Sequence, residues 1–452
     1  MDRILTSNRC LANGLVCAET SSVSVIESLK DFLGHRVSRN AIALGLVQIV
    51  GYVAPFLVLM RLTDVLGVST YGVVAFSIGI VQIGAVIVDV GFLLSATQKI
   101  SVSRERHHFV ARLSGAVFCI KLVAFLSTAV AITAFAMLTD RYANYSMLFV
   151  LSLLPLLGHT LQPIWFFSGI ERMGYMTVFM IVTKMSYVGL VYRFVQGEAD
   201  YLWVPLSDGI AQLAGAAIGV FLIYQSGYRI ALPTRRYLRY AVRLTGGFYM
   251  SRLAVTAYSG SAILLLGLVT TPALVATYAL AEQLYRALQS LFGPVVQALY
   301  PYMARERDLL LLGRVALGFA ATAIACGVAG HFISPWMIAR IFGPEWLSSA
   351  AVMNVFFVAL AVHVVTVLAG YPLAAALNRL DVANRSVLWG SVLYLSLAAT
   401  LVVTARSTPV TFAWLVVVAE AYVLLHRSIA LIPGATRLYS RQRASDRTTV
   451  VT

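Results

Sequence analysis

TYGVVAFSIGIVQIGAVIVDVGFLLSAT, residues 70–97, runs for 28 positions with one charged side chain, Asp89. A helix rises about 1.5 Å per residue, so this run outreaches the roughly 30 Å of hydrocarbon in a bilayer. It shows no alternation of apolar and polar positions, the period a membrane barrel strand requires. It reads as a membrane-spanning helix.

The rest of the chain is of the same kind. Of 452 residues 60% are apolar and 12% charged, with a mean hydropathy of +0.83, against about 45–50% and 25% in soluble domains. Comparable runs lie at Asn40–Met60, Leu113–Leu138, Ser146–Phe167, Tyr175–Val195 and Trp203–Tyr224. After a polar break they resume at Gly246–Leu268, Leu274–Tyr300, Val315–Ile333, Leu347–Leu368, Ser386–Val403 and Val410–Leu431. The expected fold is all-α and polytopic, with about twelve transmembrane helices. Its expected parts are an amino-terminal extension (1–39), six helices (40–225), a basic linker (226–243), six more helices (244–432) and a tail (433–452). Residues 1–39 lack the h-region and cleavage site of a secretory signal, and Ser22–Gly34 could lie as an amphipathic helix on the membrane.

The net charge of +15 finds its explanation in topology. With the amino terminus cytoplasmic, the inner segments hold about 25 Lys and Arg, and the outer loops hold only Arg61, Arg141, Arg340 and Arg406. This bias places both termini in the cytoplasm and makes a nucleic-acid partner unnecessary. The four cysteines, Cys10, Cys17, Cys119 and Cys326, have no metal-binding or redox spacing. None of the four lysines follows glycine, so there is no Walker A loop, and HExxH and GxSxG are also missing. Neither ATP hydrolysis nor an enzyme's bond-breaking site is indicated.

The two sets of helices echo each other. Thr70-Tyr71 matches Thr277-Tyr278, and Ile170-Glu171-Arg172-Met173 matches Leu377-Asn378-Arg379-Leu380; both pairs are 207 positions apart. A shared offset favours a duplication whose copies, each with six spans, have the same orientation.

Charges inside the spans need a cavity or a partner, because each costs about 2.5–3.5 kcal/mol on insertion scales. Lys121, Arg193 and Asp208 lie toward span ends, within reach of an interface by snorkelling. Glu282 and Arg286 are central and cannot reach a surface. With Gln289, Gly293 and Gln297 they form a stripe at helical spacing, which suits a cavity wall better than an isolated ion pair. Arg252, Thr256 and Ser259 form a shorter stripe in the seventh span; Lys184 is central in the fifth. Glu420 is central in the twelfth, and no partner can be read for it from spacing. His159 and His363 read as helix-to-helix hydrogen-bonding groups. Trp165-Phe166-Phe167, at the inner end of the fourth span, fits an aromatic interface belt, with sugar stacking as the functional alternative. Gly215-xxx-Gly219 allows close helix packing.

LTDVLGVSTYGVVAFS (62–77), DVGFLLSATQKIS (89–101), PIWFFSGIERM (163–173), ATYALAEQLYRALQSLFGPVVQALYP (276–301) and IFGPEWLSSA (341–350) together resemble the polysaccharide-biosynthesis flippases. These export lipid-linked O-antigen, capsule or exopolysaccharide units and belong to the multidrug/oligosaccharidyl-lipid/polysaccharide exporter superfamily. The resemblance implies two six-helix bundles around a central cavity in the bacterial inner membrane. The implied substrate is an undecaprenyl-pyrophosphate-linked oligosaccharide, and the implied partners are membrane lipids and the polysaccharide polymerase and chain-length machinery. A cation-lined path would suit the pyrophosphate, because arginine's planar fork can bind phosphate bidentately. Arg286 and Arg252 with Lys184 are the expected phosphate ligands; Glu282, Gln289 and Trp165 are the other expected substrate contacts. No cofactor is expected beyond a coupling H⁺ or Na⁺, for which Asp89, Glu282 and Glu420 are the candidate carboxylates; the membrane potential is the alternative drive. The competing readings are a drug antiporter of the same superfamily and a membrane polymerase.

Overall fold

A computed structural model describes residues 36–449, except for the side chains of 36–49, 52, 246–248, 250–259, 437, 439 and 441–449. Among the described residues the chain is helical throughout, with no strand. Nine of its helical stretches are long and apolar enough to cross a membrane, so this is a multi-pass membrane protein. The three expected spans outside that set explain themselves. Those at 40–60 and 246–268 include side chains that are not described, and that at 274–300 is interrupted by Glu282 and Arg286.

The amino-terminal half (N-half) contains α1 (Arg36–Val65), α2 (Gly67–Asp89), α3 (Phe92–Ser103), α4 (His107–Leu138), α5 (Ser146–Leu151), α6 (Leu153–Leu161), α7 (Ile164–Gly169), α8 (Met173–Phe194) and α9 (Trp203–Gln225). The carboxy-terminal half (C-half) contains α10 (Arg235–Val269), α11 (Pro272–Ser290), α12 (Gly293–Glu306), α13 (Leu309–Ile341), α14 (Ser348–Ala369), α15 (Tyr371–Ala376), α16 (Leu380–Val403) and α17 (Pro409–Thr449). Several helices outrun their expected spans. α10 starts at Arg235, so nine residues of the expected linker are helical, and α17 carries the expected tail to Thr449. Composition marks only the part of a helix immersed in hydrocarbon, while the backbone bonds continue into the interface.

The offset of 207 reappears in the backbone. α8 begins at Met173 and α16 at Leu380. Each is preceded by a non-glycine residue in the left-handed region, Glu171 (φ 59°) and Asn378 (φ 54°). The capping bonds match as well: Arg172 N–H donates to the Phe167 carbonyl at 3.1 Å, and Arg379 N–H to the Ala374 carbonyl at 2.7 Å. This six-residue closure satisfies the last carbonyls of a helix. Packing partners repeat too: α1, α6 and α9 contact α8, α9 and α8, and α10, α14 and α17 contact α16, α17 and α16.

The halves meet through α2, which lies against α10 and α11. A side-chain carbon on Gly72 would overlap the Pro272 carbonyl, one on Gly267 would overlap the Phe76 ring, and one on Gly79 would press on Ile263. Tyr142 Oη donates to the Gly267 carbonyl (2.6 Å), and Tyr71 meets Trp346 edge-on at 5.3 Å. One buried apolar core runs through both halves at this end. Toward the end that carries Arg36 and the tip of α17 the core splits. Phe92, Ile100, Trp165, Phe166 and Phe179 form one cluster in the N-half, and Leu299, Met303, Leu312 and Leu368 form another in the C-half. The fold is sealed at the far end and divided at the end bearing Arg36 and the tip of α17.

Candidate functional site: a charged cavity in the N-half

Proline and glycine shape the site. Pro163 has no N–H to give, and it restricts Gln162 to an extended ψ of 126°. The fourth span, already interrupted between α5 and α6 at Ser152, therefore breaks again between α6 and α7. The break lets Gln162 turn across the bundle, where its Nε2 donates to Gln212 Oε1 at 2.8 Å. Gln212 Nε2 in turn donates to Asp208 Oδ1 at 3.2 Å. Gly215 and Gly219 bring α9 close enough for this, since a side-chain carbon on either would strike Thr183 or Pro163.

A cavity of about 460 Å³ lies against this network. All six spans of the N-half line it, as do Ile263 of α10 and Ala279, Glu282, Gln283 and Arg286 of α11. Asp89, Lys121, His159, Trp165, Lys184 and Asp208 all face it. Arg286 Nη2 and Glu282 Oε1 are 2.9 Å apart; Glu282 is 10% exposed and Arg286 39%. The carboxylate is the buried member, and the guanidinium projects into the hollow.

Several expectations change here. Lys121 and Asp208 do not snorkel; Lys121 is buried and both line the cavity. Arg193 is exposed over the Phe194 ring. The lining is not cation-dominated. Lys121, Lys184 and Arg286 are matched by Asp89, Asp208 and Glu282, because a low-dielectric interior holds charges in opposed pairs. The side chain of Arg252 lies outside the described residues. Gln289 does not line the cavity: α11 ends at Ser290 and α12 starts at Gly293, so the polar stripe is cut. Trp165, Phe166 and Phe167 are buried rather than part of an interface belt. Trp165 packs edge-on against Phe118 at 5.5 Å, and its indole N–H, buried beside the cavity, has no acceptor among the described residues. Glu420 does not line the cavity, and His363 Nδ1 lies 2.9 Å from its Oε1. Its partner is 57 positions away, beyond any local spacing rule.

Gln162, Gln212 and Tyr187 line the cavity without having been singled out from sequence. The signal for one of them was present: Gln212 follows Asp208 by one helical turn. Among the described residues no group of three or more His, Cys, Asp or Glu could hold a metal ion.

Comparison with known proteins gives the family and the fold. The profile of the family described as "Polysaccharide biosynthesis protein" matches residues 37–306. Two relatives carry the name "Putative O-antigen transporter". The one from Escherichia coli (strain K12) is 28% identical over 282 residues, covering 61% of this chain and 66% of that protein. The one from Shigella dysenteriae is 22% identical over 374 residues, covering 81% and 93%. Among solved structures, lipid II flippase MurJ in an inward closed conformation superposes with a TM-score of 0.69 at 12% identity, covering 88% of this chain and 89% of that one. An inward-facing multidrug resistance MATE family transporter of the MOP superfamily gives 0.60 at 13% identity, covering 90% and 99%. At these identities the structures share a fold with this chain.

Proposed function

This chain belongs to the polysaccharide biosynthesis protein family, and from that premise we propose that it is a flippase in the bacterial inner membrane. It carries undecaprenyl-pyrophosphate-linked oligosaccharide units from the cytoplasmic to the outer leaflet for O-antigen, capsule or exopolysaccharide synthesis. The polymerase and chain-length machinery take the product on the outer side. The chain acts as a transporter and makes or breaks no bond.

The observation that carries this reading is a cavity inside the membrane with three cations and three carboxylates on its wall. An anion in bare hydrocarbon would face a barrier of tens of kcal/mol by Born estimates. A wall of fixed charges lowers it. Pyrophosphate entering the hollow takes Arg286 from Glu282 and competes with Asp208 and Asp89 for Lys184 and Lys121. The carboxylates so released gain from a proton or a sodium ion, which makes Glu282, Asp89 and Asp208 the groups through which an ion gradient couples to the anion. Glu420 lies outside this set, since it does not line the cavity. The membrane potential adds about 2.3 kcal/mol per charge per 100 mV for an anion moving outward. Trp165 offers an indole N–H and a ring edge to the sugars.

The test is a leaflet assay in cells carrying Arg286→Ala. Intact lipid-linked units should accumulate on the cytoplasmic leaflet, and surface polysaccharide should fall at least tenfold at normal protein levels; Arg286→Lys should be intermediate. Undiminished surface polysaccharide would reject the reading. A second reading, a cationic-drug antiporter, draws on the three carboxylates of the lining. Direct binding of a lipid pyrophosphate and of a cationic drug to the purified protein separates the two.

A further inference from the structure

The halves part company where their sixth spans leave the bundle. In the N-half α9 stops at Gln225, and the chain turns at Gly227 with φ 86°, a conformation open to glycine. The linker then folds back over the bundle end. Tyr228 stacks on His107 at 4.5 Å and meets Phe166 edge-on at 5.4 Å, while its hydroxyl donates to the Arg104 carbonyl at 2.9 Å. Ala231 N–H donates to the Ala111 carbonyl at 3.1 Å. Beneath, Ile100 sits over Gly169, and Ile100, Ile170 and Ile223 are buried.

In the C-half, 207 positions on, Gly434 stands where Gly227 stands, but no turn follows: α17 runs straight through it. Among the described residues the matching place is open. It forms a cavity of about 480 Å³ whose wall includes Ala376, Leu377, Leu431 and Leu438, with Arg307 and Arg379 at its edge. Both arginines stand at helix ends, Arg307 just after α12 and Arg379 just before α16. Arg307 has φ 54°, which non-glycine residues seldom adopt, and this turns it out of the helix path. Arg379 Nε lies 3.4 Å from Asp381 Oδ1, which orients its guanidinium.

Two guanidiniums beside a greasy wall, at the level where helices leave the hydrocarbon, are complementary to an amphipathic phosphate. A free anion would find no use for the leucines, and a neutral lipid none for the arginines. Basic pockets between membrane helices are recognised sites for anionic headgroups, and the paired forks suit phosphate oxygens. We propose that this cleft binds an anionic phospholipid, with its phosphate between Arg307 and Arg379 and the start of an acyl chain along Leu377 and Leu438.

The test uses the full-length protein, delipidated in detergent, with phosphatidylglycerol, phosphatidylcholine and inorganic pyrophosphate as probes and native mass spectrometry as the readout. The unaltered protein should retain phosphatidylglycerol in preference to phosphatidylcholine. Arg307→Gln with Arg379→Gln should lower that retention at least tenfold, and Arg340→Gln, at the opposite end of the bundle, should leave it unchanged. Gly434→Leu tests the wall with both charges intact. The added Cβ would sit 3.6 Å from Leu377 Cδ1, an ordinary contact, so the rest of the side chain enters the cleft and should cause a similar loss. Equal retention in the double variant overturns the proposal, as does pyrophosphate displacing the lipid at matched concentration. Retention that survives Gly434→Leu overturns the acyl-chain half of it. None of these measurements reads transport, so a negative result leaves the flippase reading intact.

Discussion

The N-half and the C-half share a fold and differ in where they keep their polar groups. In the N-half, Gln162, Gln212 and Asp208 connect α6 and α9 and face the cavity. In the C-half, the corresponding helices α14 and α17 are joined by His363 and Glu420 away from that cavity. Below that pair, buried Arg427 spans α17, α16 and α14 through Ser386 Oγ (2.9 Å), the Thr366 carbonyl (2.6 Å) and the Ala383 carbonyl (3.3 Å). The α6–α9 network faces a ligand, while the matching α14–α17 network holds helices together, and among the described residues the C-half reaches the cavity only through α10 and α11, where Glu282 and Arg286 stand. Duplication supplied the frame, and the side chains then divided the work.

That division can be broken at its hinge first. Gly72 lies on α2 against the Pro272 carbonyl, so Gly72→Val forces the halves apart at the sealed end. Export should fall more than tenfold, and cysteine pairs across the α2–α11 contact should cross-link less; normal cross-linking would show that the seam tolerates a side chain. The second largest effect belongs to Arg427. Each hydrogen bond from a charged donor contributes about 1.5–3 kcal/mol and Arg427 makes the three above, so Arg427→Ala should lower thermal stability sharply, with export lost only as protein is lost. Export that fell with stability intact would move Arg427 from scaffold to transport.

How much of this was legible in the sequence follows from what hydrocarbon demands. It dictates length and apolarity, so the run at 70–97 announces itself, and the duplication shows in Glu171-Arg172 against Asn378-Arg379. It does not dictate which face a charge occupies. Lys121 and Asp208 sit near span ends in sequence yet point inward, because facing an opposite charge, Asp89 for the first and Lys184 for the second, competes with reaching water. Nor does local spacing reveal Glu420's partner, which arrives on another helix. Gln162 is hidden for a third reason: its direction is set by the break at Pro163, and an uncharged amide in a span raises no alarm. The order of the rods could be read; the facing of their side chains came only from packing.

Gln162 therefore makes the sharper contrast with Arg427. Its amide hydrogen bonds are neutral and border the cavity, so Gln162→Ala should cost only about 1 kcal/mol of stability while reducing export several-fold at normal protein levels. Loss of stability without loss of export would put this network in the same structural class as Arg427.

The smallest effect comes from one of the residue pairs that the two copies share, Thr70 and Thr277. Thr70 Oγ1 donates to the Glu198 carboxylate at 2.6 Å. Its counterpart Thr277 donates to the Ala273 carbonyl at 3.0 Å and lies 3.1 Å from Ser348 Oγ. A hydrogen bond to a charged acceptor contributes about 1.5–3 kcal/mol and a neutral one about 0.5–1.5, and partial exposure reduces the first toward the second. Thr70→Val should thus destabilise more than Thr277→Val, by about 1 kcal/mol or less, with the gap closing when Glu198→Gln is added. Denaturation midpoints of the four proteins decide it. If the two threonines cost the same in every background, the halves have diverged around these sites without diverging at them.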